Sequence, residues 1–212
     1  MVQTDLTCPR CGEPVAAPSV WSSSWRCAKH GDVHPLRQVR SLSPEGLAGL
    51  VRNAVVPVML PWPLPAGWLL TGFAAAGDER SGTRACVVAL SGPNPVGGPG
   101  EMLLISEELG VGLGAYCAGR DGFDPGAGFP DCSPHAQVEF GKHEFPLWHV
   151  DAAGRAAFAG EVMGTWLWIL LWPDTAGTLL VEPMRLLDLR DPGHELDLPF
   201  GARSPQLPGE TG

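Results

Sequence analysis

Two short stretches carry residues whose type and spacing suit metal chemistry. Cys8-Pro9-Arg10-Cys11-Gly12 is followed by Cys27-Ala28-Lys29-His30-Gly31, with fifteen residues between Cys11 and Cys27. Each has donor side chains at its first and fourth positions and a glycine immediately after. A two-residue spacer lets both donors of a turn face one point, and thiolate or imidazole binds zinc at about 2.0–2.3 Å. A glycine that takes φ > 0 after the second donor turns backbone N–H groups toward the sulfurs, which lowers the cost of gathering negative charge. The spacing therefore predicts a zinc ribbon in which Cys8, Cys11, Cys27 and His30 close a tetrahedral site. A site closed by four protein ligands keeps no open position for a substrate, so the predicted Zn(2+) is structural. His34 competes for the fourth place. His30 is preferred because Cys27-x-x-His30-Gly31 repeats the register of the first turn, whereas His34 precedes Pro35. Trp21 and Trp25 are expected to cover the site.

A second group, Cys132, His135, His143, Glu144 and His149, falls within eighteen residues. Cysteine beside histidine is the pairing of a nucleophile with its base, and several histidines can gather a metal. Nothing near Cys132 in sequence lowers its pKa, and His149 sits among apolar residues as a hydrogen-bonded strand histidine would. The Gly92–Gly100 stretch lacks the Lys-Ser/Thr ending of a phosphate-binding loop and reads as a connector. No Gly-x-Ser-x-Gly elbow, His-Glu-x-x-His helix or Rossmann glycine pattern is present, so no catalytic residue is assigned and the balance leans away from an enzyme.

The elements that must hold these residues are mostly strands. Ser43-Pro44-Glu45 opens a helix, with serine as cap, proline in the first turn and glutamate at the positive end of the dipole. Its buried stripe is Leu47, Leu50 and Val51, and it ends near Asn53. Pro61-Trp62-Pro63-Leu64-Pro65 is an extended strap that seals a core edge. Trp68–Ala76 and Thr83–Ser91 form a hairpin, and Met102–Ile105 continues the sheet. Ser106–Gly110 reads as one capped helical turn, after which Val111, Leu113 and Ala115 alternate with small residues. Residues 119–135 are a long loop. Strands follow at Gln137–Phe140, Phe145–Val150, Arg155–Val162, Gly164–Trp172, Thr178–Glu182 and Met184–Leu189, with Trp166, Trp168 and Trp172 on one face. The predicted fold class is α+β, mainly antiparallel β: a zinc ribbon over residues 1–40, a β-rich domain with few short helices over 41–198, and a disordered tail over 199–212.

Charge and hydropathy narrow the function. The 212 residues carry a net charge of −9, but residues 1–40 hold five Arg/Lys against three Asp/Glu while the remainder hold nine against twenty. The acidic remainder should repel nucleic acid, leaving only Arg10, Arg26, Lys29, Arg37 and Arg40 of the ribbon to meet a polyanion. The polar first ten residues do not have signal-peptide form. Trp166–Trp172, the longest strongly apolar run, is far shorter than the roughly 20 residues of a membrane-spanning helix. Thiols that pair into metal-binding turns fit a reducing compartment, and a cytoplasmic location is expected.

Cys-Pro-x-Cys-Gly, Trp-x-Cys-x-x-His-Gly, Pro61-Trp62-Pro63-Leu64-Pro65, Gly67-Trp68 and Pro146-Leu147-Trp148-His149 occur together. With these motifs the chain resembles, over nearly its whole length, a family of uncharacterised actinobacterial proteins. The resemblance implies a cytoplasmic zinc-ribbon protein of about this size and carries no activity. The leading expectation is an adaptor or regulatory protein that acts through an unknown protein partner, without membrane insertion. The alternative is a small-molecule hydrolase or transferase with a pocket among residues 92–100, 119–135 and 143–149.

Overall fold

The computed structural model describes residues 6–20, 22–126, 129, 132–191 and 197–208. The chain begins with the two turns and three short strands, β1 (Arg26–Cys27), β2 (Gly31–Asp32) and β3 (Leu36–Gln38). It then runs through α1 (Pro44–Asn53), β4 (Met59–Pro61), β5 (Leu69–Asp78), β6 (Gly82–Pro93), β7 (Pro99–Glu107) and α2 (Leu113–Cys117). It ends with β8 (Ala136–Phe140), β9 (His143–Val150), β10 (Ala156–Val162), β11 (Thr165–Trp172), a 3-10 segment (Asp174–Leu180) and β12 (Met184–Asp188). The ribbon hairpin β1–β2 stands apart from a ten-stranded sheet of order β3-β5-β6-β7-β11-β10-β9-β8-β12-β4. Neighbours are antiparallel except β8 and β12, which run parallel. The sheet folds back on itself, so that β4 also packs on β7.

The central strands are apolar on both faces, which explains why their sequences are continuous runs rather than alternations. Toward the inside of the fold point Cys86, Val88 and Leu90 of β6, Met102 and Leu104 of β7, and Leu167, Ile169 and Leu171 of β11. Leu47 and Leu50 of α1 join this core. Ser43 caps that helix by accepting from the Gly46 N–H at 3.2 Å, as its sequence predicts. The opposite face is lined by small residues, Ala74, Ala76, Ala85, Ala89, Ala157 and Ala159, around the fully buried Trp168. These short side chains leave room for a second layer, made of α2, Leu36 of β3 and Leu207 near the C-terminus. Trp166 and Trp172 pack on the same face as Trp168, in keeping with their even spacing.

Four local expectations fail for identifiable reasons. Ser106 and Glu107 end strand β7 instead of opening a helical turn, because each is paired on both sides, with Cys86 and Ala85 of β6 and with Leu167 and Trp166 of β11. The alternation after Gly110 gives way to α2: Gly112 turns the chain at φ 85°, and the Glu107 carboxylate takes up the free N–H groups of Leu113 and Gly114. Thr178–Glu182 is not a strand, since the 3-10 segment occupies Asp174–Leu180 and places Ala176 and Leu180 in the core. The segment from Pro199, expected to be disordered, is packed as far as Leu207. Leu70 donates to the Pro199 carbonyl, Gly201 to that of Leu70 and Ser204 to that of Thr71, while Leu207 is buried. Proline-rich polar composition concealed one hydroxyl and one leucine with specific places: Ser204 donates to Glu101 at 2.6 Å, and Leu207 fills the space beside Gly72.

Candidate metal centre and second cluster

The two turns fold locally by the geometry that their glycines permit. Gly12 donates to the Cys8 carbonyl at 2.8 Å and has φ 72°, and Gly31 has φ 69°. The Thr7–Leu36 bridge then ties the first turn to β3, and so to the sheet. Cys8, Cys11, Cys27 and His30 offer donor atoms that all lie within 4.8 Å of one another, with Cys8 and Cys27 buried. The Cys11 and Cys27 sulfurs are 3.7 Å apart, and His30 Nδ1 lies 3.5 Å from the Cys8 sulfur and 3.6 Å from that of Cys27. A disulfide needs a sulfur separation near 2.05 Å, so the thiols are not paired. For a tetrahedral cage with ligand bonds of about 2.0–2.3 Å, the edges come to about 3.8 Å between sulfurs and about 3.6 Å from sulfur to nitrogen. The observed spacings match both. His34 is not part of the group.

The thiols differ in how readily they ionise. Burial pushes Cys8 up to about 12 despite the Arg10 N–H that favours its thiolate. Burial also opposes ionisation of Cys27, but the N–H groups of Lys29 and His30, with the His30 ring and the Cys8 thiol, outweigh it and hold this thiol at about 7. A cation placed between them would supply the missing compensation for Cys8.

The turns are fastened to the sheet by side chains that the motif itself does not announce. Arg10, between the first two cysteines, donates from Nε to the Val111 carbonyl at 3.1 Å and from Nη2 to that of Gly110, and its guanidinium lies 5.5 Å from the centre of the Phe123 ring. The Tyr116 hydroxyl of α2 sits where any side chain on Gly12 would project. Trp25, expected as a cover, donates its indole N–H to Asp78 at 3.1 Å; Trp21 lies outside the described residues. The segment from Glu107 to Tyr116 is thus the floor under the first turn. Glu107 is its fixed point: it is fully buried, and its carboxylate accepts from Leu113 at 2.6 Å and Gly114 at 3.1 Å. Burial drives this carboxyl up to about 7, against the pull of those N–H groups and a weaker one from the Trp168 indole, whose N–H has no hydrogen-bond partner of proper geometry.

Of the second cluster, the structure brings His135 and His149 together and leaves the others apart. Their ring centres are 6.3 Å from each other, and the His149 backbone N–H donates to His135 Nδ1 at 3.2 Å. Cys132 is exposed, and its carbonyl, not its thiol, is engaged, by the Trp148 indole at 2.8 Å. Among the described residues no hydrogen bond links the Cys132 thiol to a histidine. His143 and Glu144 are at the far end of β9, paired with Phe140 and Glu139. Residues from 119–135 and 143–149 do line one small cavity, of about 170 Å³, with Arg120, Cys132 and His149 on its wall. The 92–100 stretch does not reach it. That stretch is the tip of the β6–β7 hairpin, where Asn94 is fixed by Thr175 at 2.9 Å.

Fold and site together define a mainly antiparallel β protein with a four-donor Cys/His centre near its N-terminus. The chain belongs to a family of unknown function, DUF6758, which it matches over residues 2–207. Neither a curated protein nor a solved structure matches it. No helix among the described residues is long and apolar enough to cross a membrane.

Proposed function

We propose that the four-donor centre binds a structural Zn(2+) and that the protein is a cytoplasmic adaptor or regulatory protein working through contact with another protein. The observation that supports the metal is three donor separations of 3.5, 3.6 and 3.7 Å, close to the edges expected of a tetrahedral zinc site of three sulfurs and one nitrogen. Three soft thiolates with one imidazole favour zinc over the harder divalent cations. Support for the partner comes from the ribbon's surface. Its outer turn, closed by hydrogen bonds between Ser19 and Ser22, presents Val20 at 93% exposure, and Leu109 and Phe123 stand exposed beside Arg10. Val20 on the ribbon, together with Leu109 and Phe123, leaves apolar surface open to a partner.

Two measurements test this reading. Elemental analysis of the purified chain should find one zinc per chain, lost in Cys8→Ser and His30→Ala and kept in His34→Ala; retention in Cys8→Ser would refute the site. Purification of the tagged chain at native expression should recover a stoichiometric protein partner, and recovery of the monomer alone would refute the adaptor role.

A further inference from the structure

One further cavity belongs to neither cluster. It encloses about 460 Å³, within the range of small-ligand clefts. Arg10, Trp25 and His34 line it from the ribbon, Asp78 and Arg80 from the turn between β5 and β6, and Glu108 from the loop after β7. The walls are fixed by their own contacts, Trp25 to Asp78, Arg10 to the Gly110 and Val111 carbonyls, and Arg84 to Glu108. The cleft therefore exists before any ligand arrives.

Its acids and its donors are not equally occupied. Asp78 accepts from the Arg80 and Ser81 N–H groups, the Ser81 hydroxyl and the Trp25 indole. Glu108 is paired with Arg84 at 2.6 Å, and Asp32 with Arg26 at 3.3 Å. By contrast, among the described residues Arg80 spends one side-chain N–H, on the Ser23 carbonyl at 3.3 Å, and Arg10 makes no hydrogen bond from its Nη1 group. The His34 ring makes no hydrogen bond among the described residues, and burial, then Arg84, hold it below its ordinary pKa, so at neutral pH it offers one donor and one acceptor. Each carboxylate of the cleft already has a donor among the described residues, Asp32 and Glu108 through one oxygen, whereas an oxyanion would find the guanidinium groups of Arg10 and Arg80. Val33, Leu109 and Val111 add an apolar strip to the same cleft.

We propose that this cleft is a binding site for a small molecule bearing one oxyanion, carboxylate or phosphate, on a compact apolar body. Arg80 and the spare nitrogen of Arg10 take the anion, and the apolar strip takes the body. The site goes beyond the docking role and does not depend on it. Because Arg10 lies inside the first metal turn, the centre sets one wall of the cleft without touching the ligand.

NMR titration of the zinc-loaded full chain with phenyl phosphate, benzoate and benzylamine tests this, read at the Trp25 indole N–H signal, which Trp25→Phe identifies by its loss. Phenyl phosphate or benzoate should shift that signal saturably at concentrations up to about 10 mM; the tighter of the two tells phosphate from carboxylate. Arg80→Gln, which removes an exposed side chain with a single hydrogen bond, should keep the spectrum of the folded protein and weaken binding about tenfold or more, the scale of a lost charged hydrogen bond. A signal unmoved by both anions, equal affinity in Arg80→Gln, or equal binding of benzylamine would each overturn the proposal.

Discussion

Replacing Glu107 by glutamine should change how stability depends on pH, by an amount that follows from its burial. The folded protein holds this carboxyl at about 7, against 4.5 for the free side chain. A carboxyl whose folded pKa is raised keeps its proton in the native state while the unfolded chain has released it. Its contribution is therefore fully present below pH 4.5 and declines as pH rises, until ionisation in the native state is complete above 7. Two and a half pK units correspond to roughly 3 kcal/mol. Glutamine has no such titration; its single oxygen can meet only one of the two N–H groups that Glu107 accepts with separate oxygens, a cost that does not vary with pH. Urea unfolding of both proteins at intervals from pH 4 to 8, with zinc in excess, gives the difference in stability at each pH. That difference cancels groups common to both chains. The variant should gain on the wild type by roughly 3 kcal/mol from pH 4.5 to above 7. A difference that stays flat across this range, or that moves the other way, refutes the account of Glu107 as a carboxyl made costly to ionise by burial.

Gly114→Ala should destabilise the protein by about 1–3 kcal/mol in urea unfolding, because the added carbon would fall within the Trp168 indole, which is fully buried and cannot retreat. Asp188→Ala should cost about 3 kcal/mol by the same measurement. Asp188 is 2% exposed, accepts from the Val58 N–H at 3.1 Å and pairs with Arg190 at 2.7 Å, so its loss strands a buried donor and leaves a partly buried guanidinium uncompensated.

The features readable in the sequence were those whose physics is local. Two x-x spacers with glycines placed the four donors, the Ser-Pro-Glu cap placed α1 at Pro44–Asn53, and apolar runs between turn residues placed most strands. What escaped was decided by distant partners. Ser106 and Glu107 have a helix-start composition but lie between two strands that claim their backbone groups. Arg10 looks like one more ribbon cation, yet its hydrogen bonds reach across about a hundred residues to Gly110 and Val111. The large cleft was invisible for the same reason, since Arg10, His34, Arg80 and Glu108 meet only once the ribbon is laid against the sheet. Among these, only Glu107 offered a clue: a carboxylate closing a strand as apolar as Met102–Ile105 must find donors or remain protonated.

The position of β3 changes what may be separated from what. Its three residues pair with Ala74, Ala75 and Ala76, and Leu36 is fully buried in the layer over the alanine face. A cut at residue 40 would thus pass through the structure and not between two parts of it. The longer fragment would begin with an open β5 edge and a hole where Leu36 had been, which is the arrangement that recruits a second chain into a sheet. The shorter one would keep four metal donors but lose Gly110, Val111 and Tyr116, the surface against which the first turn is braced. The short strand β3 clasps the sheet as firmly as the two turns gather their four donors.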